Sequence, residues 1–213
     1  SVSLPGKDLL GIEQLSKENI LTILDATDSF KEISTRPIKK VPTLRGRTII
    51  NLFFEPSTRT RVSFGTAFNL LGGEVRETVG MSNSALAKGE SLYDTARVLS
   101  GYSDIIAMRH PQAGSVAEFA TGSRVPVLNG GDGANEHPTQ ALLDLFTIEK
   151  ECQAHGSTID GLHIAMIGDL KYGRTVHSLC KLLSLYNNIH FTLIAPKELS
   201  MPTGILDTIT QAG

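Results

Sequence analysis

Hydroxyl and guanidinium groups follow closely on an apolar stretch of this sequence. The apolar stretch, TIINLFF, covers residues 48–54, and the polar cluster Ser57-Thr58-Arg59-Thr60 comes soon after it. Serine, threonine and arginine side chains donate hydrogen bonds of the kind that phosphate oxygens accept. A helix N-terminus is a natural site for such an anion, because its first N–H groups are unpaired and its dipole end is positive. If a helix begins here, the cluster predicts a phosphate-binding site.

The residues on either side of this cluster predict a strand followed by a helix. A short run of β-branched and aromatic residues such as 48–54 is typical of a strand that is covered on both faces. After Pro56, apolar residues recur with the i, i+3, i+4, i+7 spacing of one helix face, and Gly72-Gly73 predicts the end of that helix. The predicted face consists of Phe64, Ala67, Phe68 and Leu71.

A simpler interpretation is that Ser57 only caps the helix, with Arg59 and Arg61 solvated in its first turn. Two arginines disfavour this interpretation, because cations are unfavourable beside the positive end of a helix unless an anion compensates them. The sequence therefore favours a bound anion over a cap alone.

Three further polar clusters follow predicted strands. They are Arg109-His110-Pro111, the segment 129–140 that ends with His137 and Gln140, and residues 168–178, which contain Arg174. In open parallel sheets, ligands bind beyond the carboxyl ends of the strands. One arginine or histidine at such a position is often only a structural hydrogen-bonding group, but four clusters at equivalent positions favour a functional site.

Hydrophobic runs alternate with helix-period segments, and this alternation predicts two α/β domains with parallel sheets flanked by helices. A long helix from about His137 to Ala154 is expected to join them. The predicted bounds are residues 1–140 for the first domain, 141–155 for the connecting helix and 156–213 for the second domain. Only two strands are predicted in the second domain, at residues 162–167 and 190–195, so we expect that domain to be incomplete in this chain.

Other elements follow from the same patterns. Further strands are predicted at residues 74–79, 104–108 and 125–128, and further helices at 92–99, at 203–210 and around the apolar residues Leu179, Leu182, Leu183 and Tyr186.

The composition is that of a globular protein with a hydrophobic core, since 40% of the residues are hydrophobic and 20% are charged. Twenty basic and 22 acidic residues give a formal charge of −2, which favours neither nucleic acid nor an anionic membrane as a partner.

No apolar run approaches the roughly 20 residues of a membrane span, and the sequence starts without a signal-peptide core, so we expect a cytoplasmic protein. Cys152 and Cys180 lack CxxC spacing and are expected to be reduced thiols.

The spacing of the polar residues disfavours two other kinds of site. Residues 168–175, GDLKYGRT, approach the phosphate loop of nucleotide triphosphatases, but Arg174 stands where that motif requires lysine. A dinucleotide-binding module is disfavoured because no G-x-G-x-x-G follows a predicted strand. His110 and His137 have no close ligand partners at helical or hairpin spacing, so we expect no metal.

Five motifs, in order, closely resemble the aspartate carbamoyltransferases. They are FFEPSTRTRVSF at 53–64, SNSALAKGES at 82–91, MRHPQ at 108–112, GDGANEHPTQALLDLFTI at 131–148 and GDLKYGRTVHSL at 168–179. The ornithine carbamoyltransferases share the S-T-R-T signature. Glu55 and Pro56 before it, Thr139 where ornithine enzymes typically have cysteine, and Lys88 favour the aspartate family. The resemblance extends over essentially the whole chain.

The resemblance implies transfer of the carbamoyl group from carbamoyl phosphate to the α-amine of L-aspartate, a step of pyrimidine biosynthesis, without metal, cofactor or covalent intermediate. The residues that it implies for catalysis are Arg59, Thr60, Lys88, Arg109 and His137. Those implied for carbamoyl phosphate binding are Ser57, Thr58, Arg59, Thr60, Ser84, Lys88, Arg109, His137 and Gln140. Those implied for aspartate binding are Lys88 and Arg174.

The resemblance also implies partners. The family forms homotrimers in which Ser84 and Lys88 reach the site of a neighbouring subunit, and regulatory chains or fused pathway enzymes can accompany the catalytic chain. The family's chains continue beyond this sequence, so we expect a complete phosphate half-site and an incomplete aspartate half-site. Two alternatives stay open, an ornithine or other carbamoyltransferase and a catalytically silent scaffold. The intact set of charged residues disfavours the silent scaffold.

Overall fold

Seven α-helices and six β-strands alternate in residues 4–78 and 89–212, the part of the chain that this computed structural model describes. These residues form two compact units. The four-stranded unit contains residues 6–10, 25–78 and 89–133, and the two-stranded unit contains residues 4–5, 11–24 and 134–212. Helix α1, Lys17–Thr35, contributes residues to both.

The four-stranded unit is built on a parallel sheet with strand order β2-β1-β3-β4. Its strands are β1 (Thr48–Phe53), β2 (Glu74–Thr78), β3 (Ile105–His110) and β4 (Val127–Asp132). Its helices after α1 are α2 (Thr58–Leu70), α3 (Leu92–Leu99) and α4 (Ser115–Gly122). Strand β1 lies in the interior of the sheet, and the cluster that begins at Ser57 follows its carboxyl end.

Strand β1 is apolar at most of its positions, because both of its faces are covered. Ile50 and Leu52 pack in a core cluster with α3 and α4, whereas Ile49 and Phe53 pack in a second cluster that includes Phe68 of α2. Successive side chains of a strand point to opposite faces, so a strand between two helical layers needs hydrophobic residues at nearly every position. The predicted strand, doubly covered, is confirmed.

Helix α2 is present, but its predicted buried face is partly wrong. The helix buries Gly65 and Phe68, and Ala67 is exposed. Gly65 faces the sheet closely enough that a Cβ on it would lie 3.5 Å from Asn51 Nδ2. A glycine carries no hydrophobicity signal, so the pattern placed the centre of the face on Ala67 instead.

The glycine pair after α2 ends the helix for steric reasons. Gly72 has φ +92°, and a Cβ there would lie 2.7 Å from the carbonyl oxygen of Val41. A Cβ on Gly73 would overlap the ring of Phe68. Only glycine tolerates both the left-handed backbone and this close approach.

The two-stranded unit contains the parallel pair β5 (His163–Ile167) and β6 (His190–Ile194), in register from His163–His190 to Ile167–Ile194. Its helices are the first part of α1, α5 (Pro138–Ala154), α6 (Arg174–Leu183) and α7 (Thr203–Gln211), with a short 3₁₀ turn at Lys197–Leu199. One face of the pair is covered, whereas the other leaves Ile167 72% exposed and Ile194 50% exposed.

The predicted α/β class with parallel strands is confirmed, but three elements differ from the prediction. Helices α1 and α4 were not predicted. Helix α1 buries only Asn19, Ile20 and Leu24, so its apolar face is narrow. Helix α4 follows Gly114, whose φ is +84° and which has no capping side chain. Strand β4 begins later than predicted and continues through two glycines to Asp132.

Helix α5 packs as part of the two-stranded unit. The predicted domain bounds, with a separate connecting helix at 141–155, stay a prediction. Among the described helices, none combines the length and apolar composition that crossing a bilayer requires.

Candidate active site

The N-terminus of α2 leaves the hydroxyl of Ser57 available. Ser57 occupies the N-cap position with extended backbone (φ −156°, ψ 90°), but its side chain makes no capping hydrogen bond. By contrast, the N-cap of α3, Ser91, accepts a hydrogen bond from the backbone N–H of Asp94 at 3.0 Å. The cap-only interpretation of Ser57 is therefore wrong for this structure.

The two arginines of the α2 first turn have different surroundings. Arg61 Nε lies 3.6 Å from Glu77 Oε2, so its charge is partly compensated. Arg59 is exposed and forms no ion pair with any residue in 4–78 or 89–212. An unpaired cation at the positive end of a helix is unfavourable unless an anion binds there.

Arg109 lies at the end of β3, next to the end of β1, and its guanidinium group is held on several sides. Its Nε donates to Glu55 Oε1 at 2.6 Å, and its Nη1 donates to the carbonyl oxygen of Gly130 at 3.3 Å. The same nitrogen lies 3.5 Å from Thr60 Oγ1, at the outer limit of a hydrogen bond. The structure therefore brings Arg109 together with the first turn of α2.

Glu55 supports the candidate site, although in the sequence it served only to separate two families. Its carboxylate orients Arg109, and the Arg109 side chain is 13% exposed. The available signal was an acidic residue two positions after one strand and an arginine near the end of another strand. Only the pairing of Phe53 with Arg109 in the sheet shows that the two charges meet.

His110, the neighbour of Arg109, packs against an aromatic ring and accepts a backbone hydrogen bond. Its ring packs against Phe54 with centroids 4.8 Å apart, and its Nδ1 accepts a hydrogen bond from the N–H of Gln112 at 3.0 Å. Burial lowers the pKa of His110 and so favours the neutral ring.

In the two-stranded unit, His137 is buried at the N-cap of α5, with Pro138 at the first helical position. Its backbone N–H donates to Ser178 Oγ at 3.0 Å, and its Nδ1 lies 3.4 Å from Thr139 Oγ1. The side-chain amide of Gln140 donates to Asp144 Oδ1 at 2.8 Å, and burial raises the pKa of Asp144.

Arg174 is the first residue of α6, the helix that also carries Ser178. The structure thus places Arg174 and His137 in the same unit. The hydrogen bond between His137 and Ser178 connects the start of α5 to α6, the helix that Arg174 begins. Sequence reasoning missed Ser178, although its spacing from Arg174 puts both on one helix face. Ser84 and Lys88 lie outside the described residues. In residues 4–78 and 89–212, no group of three or more histidine, cysteine or acidic side chains could hold a metal ion.

The comparison with known families agrees with these features. A sequence model described as the aspartate/ornithine carbamoyltransferase, carbamoyl-P binding domain, matches residues 7–150. The chain belongs to this carbamoyltransferase family. The match includes Ser57, Arg109 and His137.

Curated relatives are similar over nearly the whole chain. The aspartate carbamoyltransferase catalytic subunit of Cellvibrio japonicus is 64% identical over 208 residues, which are 98% of this chain and 61% of the relative. That of Saccharophagus degradans is 61% identical over the same shares of the two chains. The chain therefore spans about three fifths of the length of these relatives.

Solved structures share the fold. The catalytic subunit of M. jannaschii aspartate transcarbamoylase is 47% identical with a TM-score of 0.86, and the match covers 97% of this chain and 66% of that one. Aspartate transcarbamoylase from Trypanosoma cruzi in complex with aspartate and phosphate is 41% identical with a TM-score of 0.90, covering 98% of this chain and 67% of that one. Another T. cruzi structure, 40% identical, covers 98% of this chain and 66% of that one with a TM-score of 0.89, and holds carbamoyl aspartate and phosphate.

Proposed function

We propose that this chain is part of an aspartate carbamoyltransferase, which transfers the carbamoyl group of carbamoyl phosphate to the α-amine of L-aspartate. The observation that carries the proposal is the arrangement around Thr60. There Arg109 is fixed by Glu55, beside a helix N-terminus at which the Ser57 hydroxyl makes no cap bond and Arg59 is exposed. The names of the relatives and the ligands in the T. cruzi structures support the same reaction.

The phosphate group would bind at the N-terminus of α2. Ser57, Thr58 and Thr60 supply hydroxyl donors, and Arg59 and Arg109 supply charge. Helix N–H groups and a guanidinium fork together suit a dianionic phosphate. Because Glu55 and Gly130 hold the Arg109 side chain in place, little of its conformational freedom is lost on binding.

For the carbamoyl group we propose the three residues that the family resemblance implies, Thr60, His137 and Gln140. The neutral amine of aspartate attacks the carbonyl carbon, a C–N bond forms, and negative charge builds on the carbonyl oxygen. Thr60 and His137 stabilise that charge, while Gln140 orients the carbamoyl amine. Donors already in place where charge develops lower the barrier most effectively.

In the second step the bond between the carbonyl carbon and the phosphate oxygen breaks, and phosphate leaves with the bonding electrons. Arg59, Lys88 and Arg109 stabilise the departing charge. The attacking amine loses one proton, and we propose phosphate as its acceptor. Arg174 binds a carboxylate of aspartate, with Lys88 as a second contact. The chemistry then depends on positioning and electrostatics, with no metal or cofactor.

The assembly that we propose is a cytoplasmic homotrimer, in which Ser84 and Lys88 complete the site of a neighbouring subunit. Helix α3, which follows the segment with these residues, exposes Tyr93 and Val98, and Tyr102 after it is 72% exposed. Exposed aromatic residues of this kind are enriched in protein interfaces. The name "catalytic subunit" of the relatives supports regulatory chains as further partners. Pyrimidine biosynthesis is the proposed pathway.

The test is an amine-acceptor assay with the full-length polypeptide. We expect carbamoyl aspartate and phosphate in equal amounts from carbamoyl phosphate and L-aspartate, with unchanged rates in EDTA. L-ornithine serves as the competing acceptor, because the family model covers both classes. Faster turnover with ornithine, or an activity that EDTA removes and a divalent metal restores, would contradict the proposal.

A further inference from the structure

A continuous chain of buried polar contacts in the two-stranded unit leads to His137. Ser178 is fully buried, and its hydroxyl accepts the His137 backbone N–H at 3.0 Å while it donates to the carboxylate of Glu136. The other oxygen of Glu136 accepts from Lys181 Nζ at 2.8 Å. Ser178 therefore uses both its donor and its acceptor capacity on adjacent residues of one loop.

The far end of this chain of contacts is also paired. Lys181 Nζ lies 2.8 Å from Glu13 Oε1 as well as from Glu136. Burial alone lowers the pKa of Lys181, but the hydrogen bonds that Lys181 donates to Glu13 and Glu136 outweigh burial, and the net pKa is raised. Glu136 is only 5% exposed, so an unpaired carboxylate would be costly there. The lysine supplies the compensating charge and keeps Glu136 in place.

The residues that hold the loop are spaced along one face of α6. Counting from Arg174, they stand at i+3 (His177), i+4 (Ser178) and i+7 (Lys181), which are neighbouring positions on a helix surface. The His177 ring, the Ser178 hydroxyl and the Lys181 ammonium group all contact the segment before α5. Arg174 begins this same helix.

His177 adds a second connection between the same two segments. One ring nitrogen lies 3.0 Å from the carbonyl oxygen of Ala134, and the other lies 2.8 Å from that of Leu170. Ala134 begins the segment that leads to His137, whereas Leu170 belongs to the loop that leads to Arg174. Both loops are therefore attached to the same buried ring.

We propose that Ser178 and Glu136 are positioning residues for His137, which fix its backbone at the start of α5 and couple its place to the Arg174-bearing helix. The expected effect on the reaction rate rests on the proposed function, whereas the restraint on the His137 backbone does not. A residue that contacts the developing charge must be held within a fraction of an ångström, and a misplacement of about 1 Å can cost about 10²-fold in rate. The fully buried hydroxyl of Ser178 supplies that restraint.

The main test is a double-mutant cycle in the full-length polypeptide. Ser178→Ala should lower kcat about tenfold or more, with a smaller change in the KM for carbamoyl phosphate. In a His137→Ala background the same substitution should change kcat by less than about twofold, because Ser178 acts through His137. Ser184→Ala is the matched control, since Ser184 is the C-cap residue of α6 and its hydroxyl donates to the carbonyl oxygen of Cys180 within the same helix.

A second measurement follows the contact itself. Amide hydrogen exchange of His137 should be at least about tenfold faster in Ser178→Ala than in the wild type, and unchanged in Ser184→Ala. Glu136→Gln, which keeps the shape of the side chain, should give smaller changes of the same kind, and thermal melting shows whether each variant is folded.

Three outcomes would overturn the inference. They are unchanged exchange at His137 in a folded Ser178→Ala variant, an undiminished kcat, and a kcat loss that is equally large in the His137→Ala background. If the wild type fails to carbamoylate aspartate, the proposed function fails. Hydrogen exchange then decides alone whether Ser178 and Glu136 hold His137.

Discussion

At the scale of single residues, Arg109 and Arg59 differ in how far their geometry is set before a ligand binds. The Arg109 side chain is 13% exposed and is held by Glu55, whereas Arg59 is exposed. Arg109 can therefore bind with little loss of rotamer freedom, while Arg59 must be ordered by the ligand. For this reason we assign Arg59 an interaction that strengthens as charge builds on the leaving phosphate.

Arg59→Ala is expected to lower kcat by about 10²–10³-fold, because removing one donor to a developing charge has an effect of that size. Steady-state kinetics with the full-length polypeptide measures it. Arg61→Ala is the control from the same helical turn, since Arg61 pairs with Glu77 and should leave kcat nearly unchanged. Equal losses of kcat in the two variants would mean that this helical turn requires positive charge in general. That result would contradict a specific role of Arg59.

Arg174→Ala should act mainly on the second substrate. We expect a raised KM for aspartate with a smaller effect on carbamoyl phosphate, because this residue is assigned to an aspartate carboxylate. Initial rates measured with each substrate varied in turn separate the two effects. Lys171→Ala, in the exposed loop just before α6, is the control. Weakened carbamoyl phosphate binding with unchanged aspartate saturation would reverse the assignment of the half-sites.

Cys180 is expected to be chemically inert in the folded protein. It is fully buried beside Met166, and burial raises the pKa of its thiol to about 12. At pH 8 the thiol is therefore protonated, and only the thiolate reacts quickly. Mass spectrometry after iodoacetamide treatment should show Cys180 unmodified in buffer and alkylated in concentrated urea. Fast labelling in buffer would mean that the α6 core opens readily.

At the scale of elements, α2 and α3 use their N-terminal serines differently. Ser91 caps α3 through the N–H of Asp94, whereas the Ser57 side chain makes no such bond to α2. The beginning of α3 is stabilised by its own sequence. The beginning of α2 keeps its polar groups for another partner, as expected of a binding site that sacrifices some stability.

This difference predicts opposite results for two similar substitutions. Ser57→Ala should change the free energy of unfolding by less than about 0.5 kcal/mol and weaken phosphate binding. Ser91→Ala should lower the free energy of unfolding by about 1 kcal/mol, because a capping bond is lost. Urea unfolding measures the free energy of unfolding of both variants. Calorimetric titration with inorganic phosphate measures the affinity for phosphate. A large loss of stability in Ser57→Ala would show that its hydroxyl caps the helix after all.

At the scale of the whole molecule, the proposed site belongs to more than one chain. If Lys88 reaches a neighbouring subunit, Arg59→Ala and Lys88→Ala damage different halves of one composite site. A mixed trimer then contains some sites with both residues intact. Two nearly inactive full-length variants, denatured together and reassembled, should regain part of the wild-type activity.

The control is a mixture of the two variants that were assembled separately, which should remain inactive. Native mass spectrometry establishes that the co-refolded sample contains mixed trimers. If mixed trimers form and activity stays at the level of the single variants, Lys88 acts within its own chain or has no role.

The sequence alone determined the class of fold and the order of most elements. Strand β1 could be predicted because a doubly covered strand is apolar at nearly every position, and α5 because residues 139–154 contain no glycine or proline that would interrupt a helix. The position of Ser57 between a strand and a helix was a local consequence of the same patterns. Helix α1, by contrast, was missed, since its buried face contains few apolar residues.

Only the tertiary structure decided which polar groups meet. The pairing of β1 with β3 brings Glu55 to Arg109, although the two residues are far apart in sequence. The packing of α6 against the loop before α5 brings Ser178 to His137 in the same way. Hydrophobic periodicity specifies which face of an element is buried, but not which neighbour covers it. The supports of the candidate site are such neighbours, so they became visible only in the folded chain.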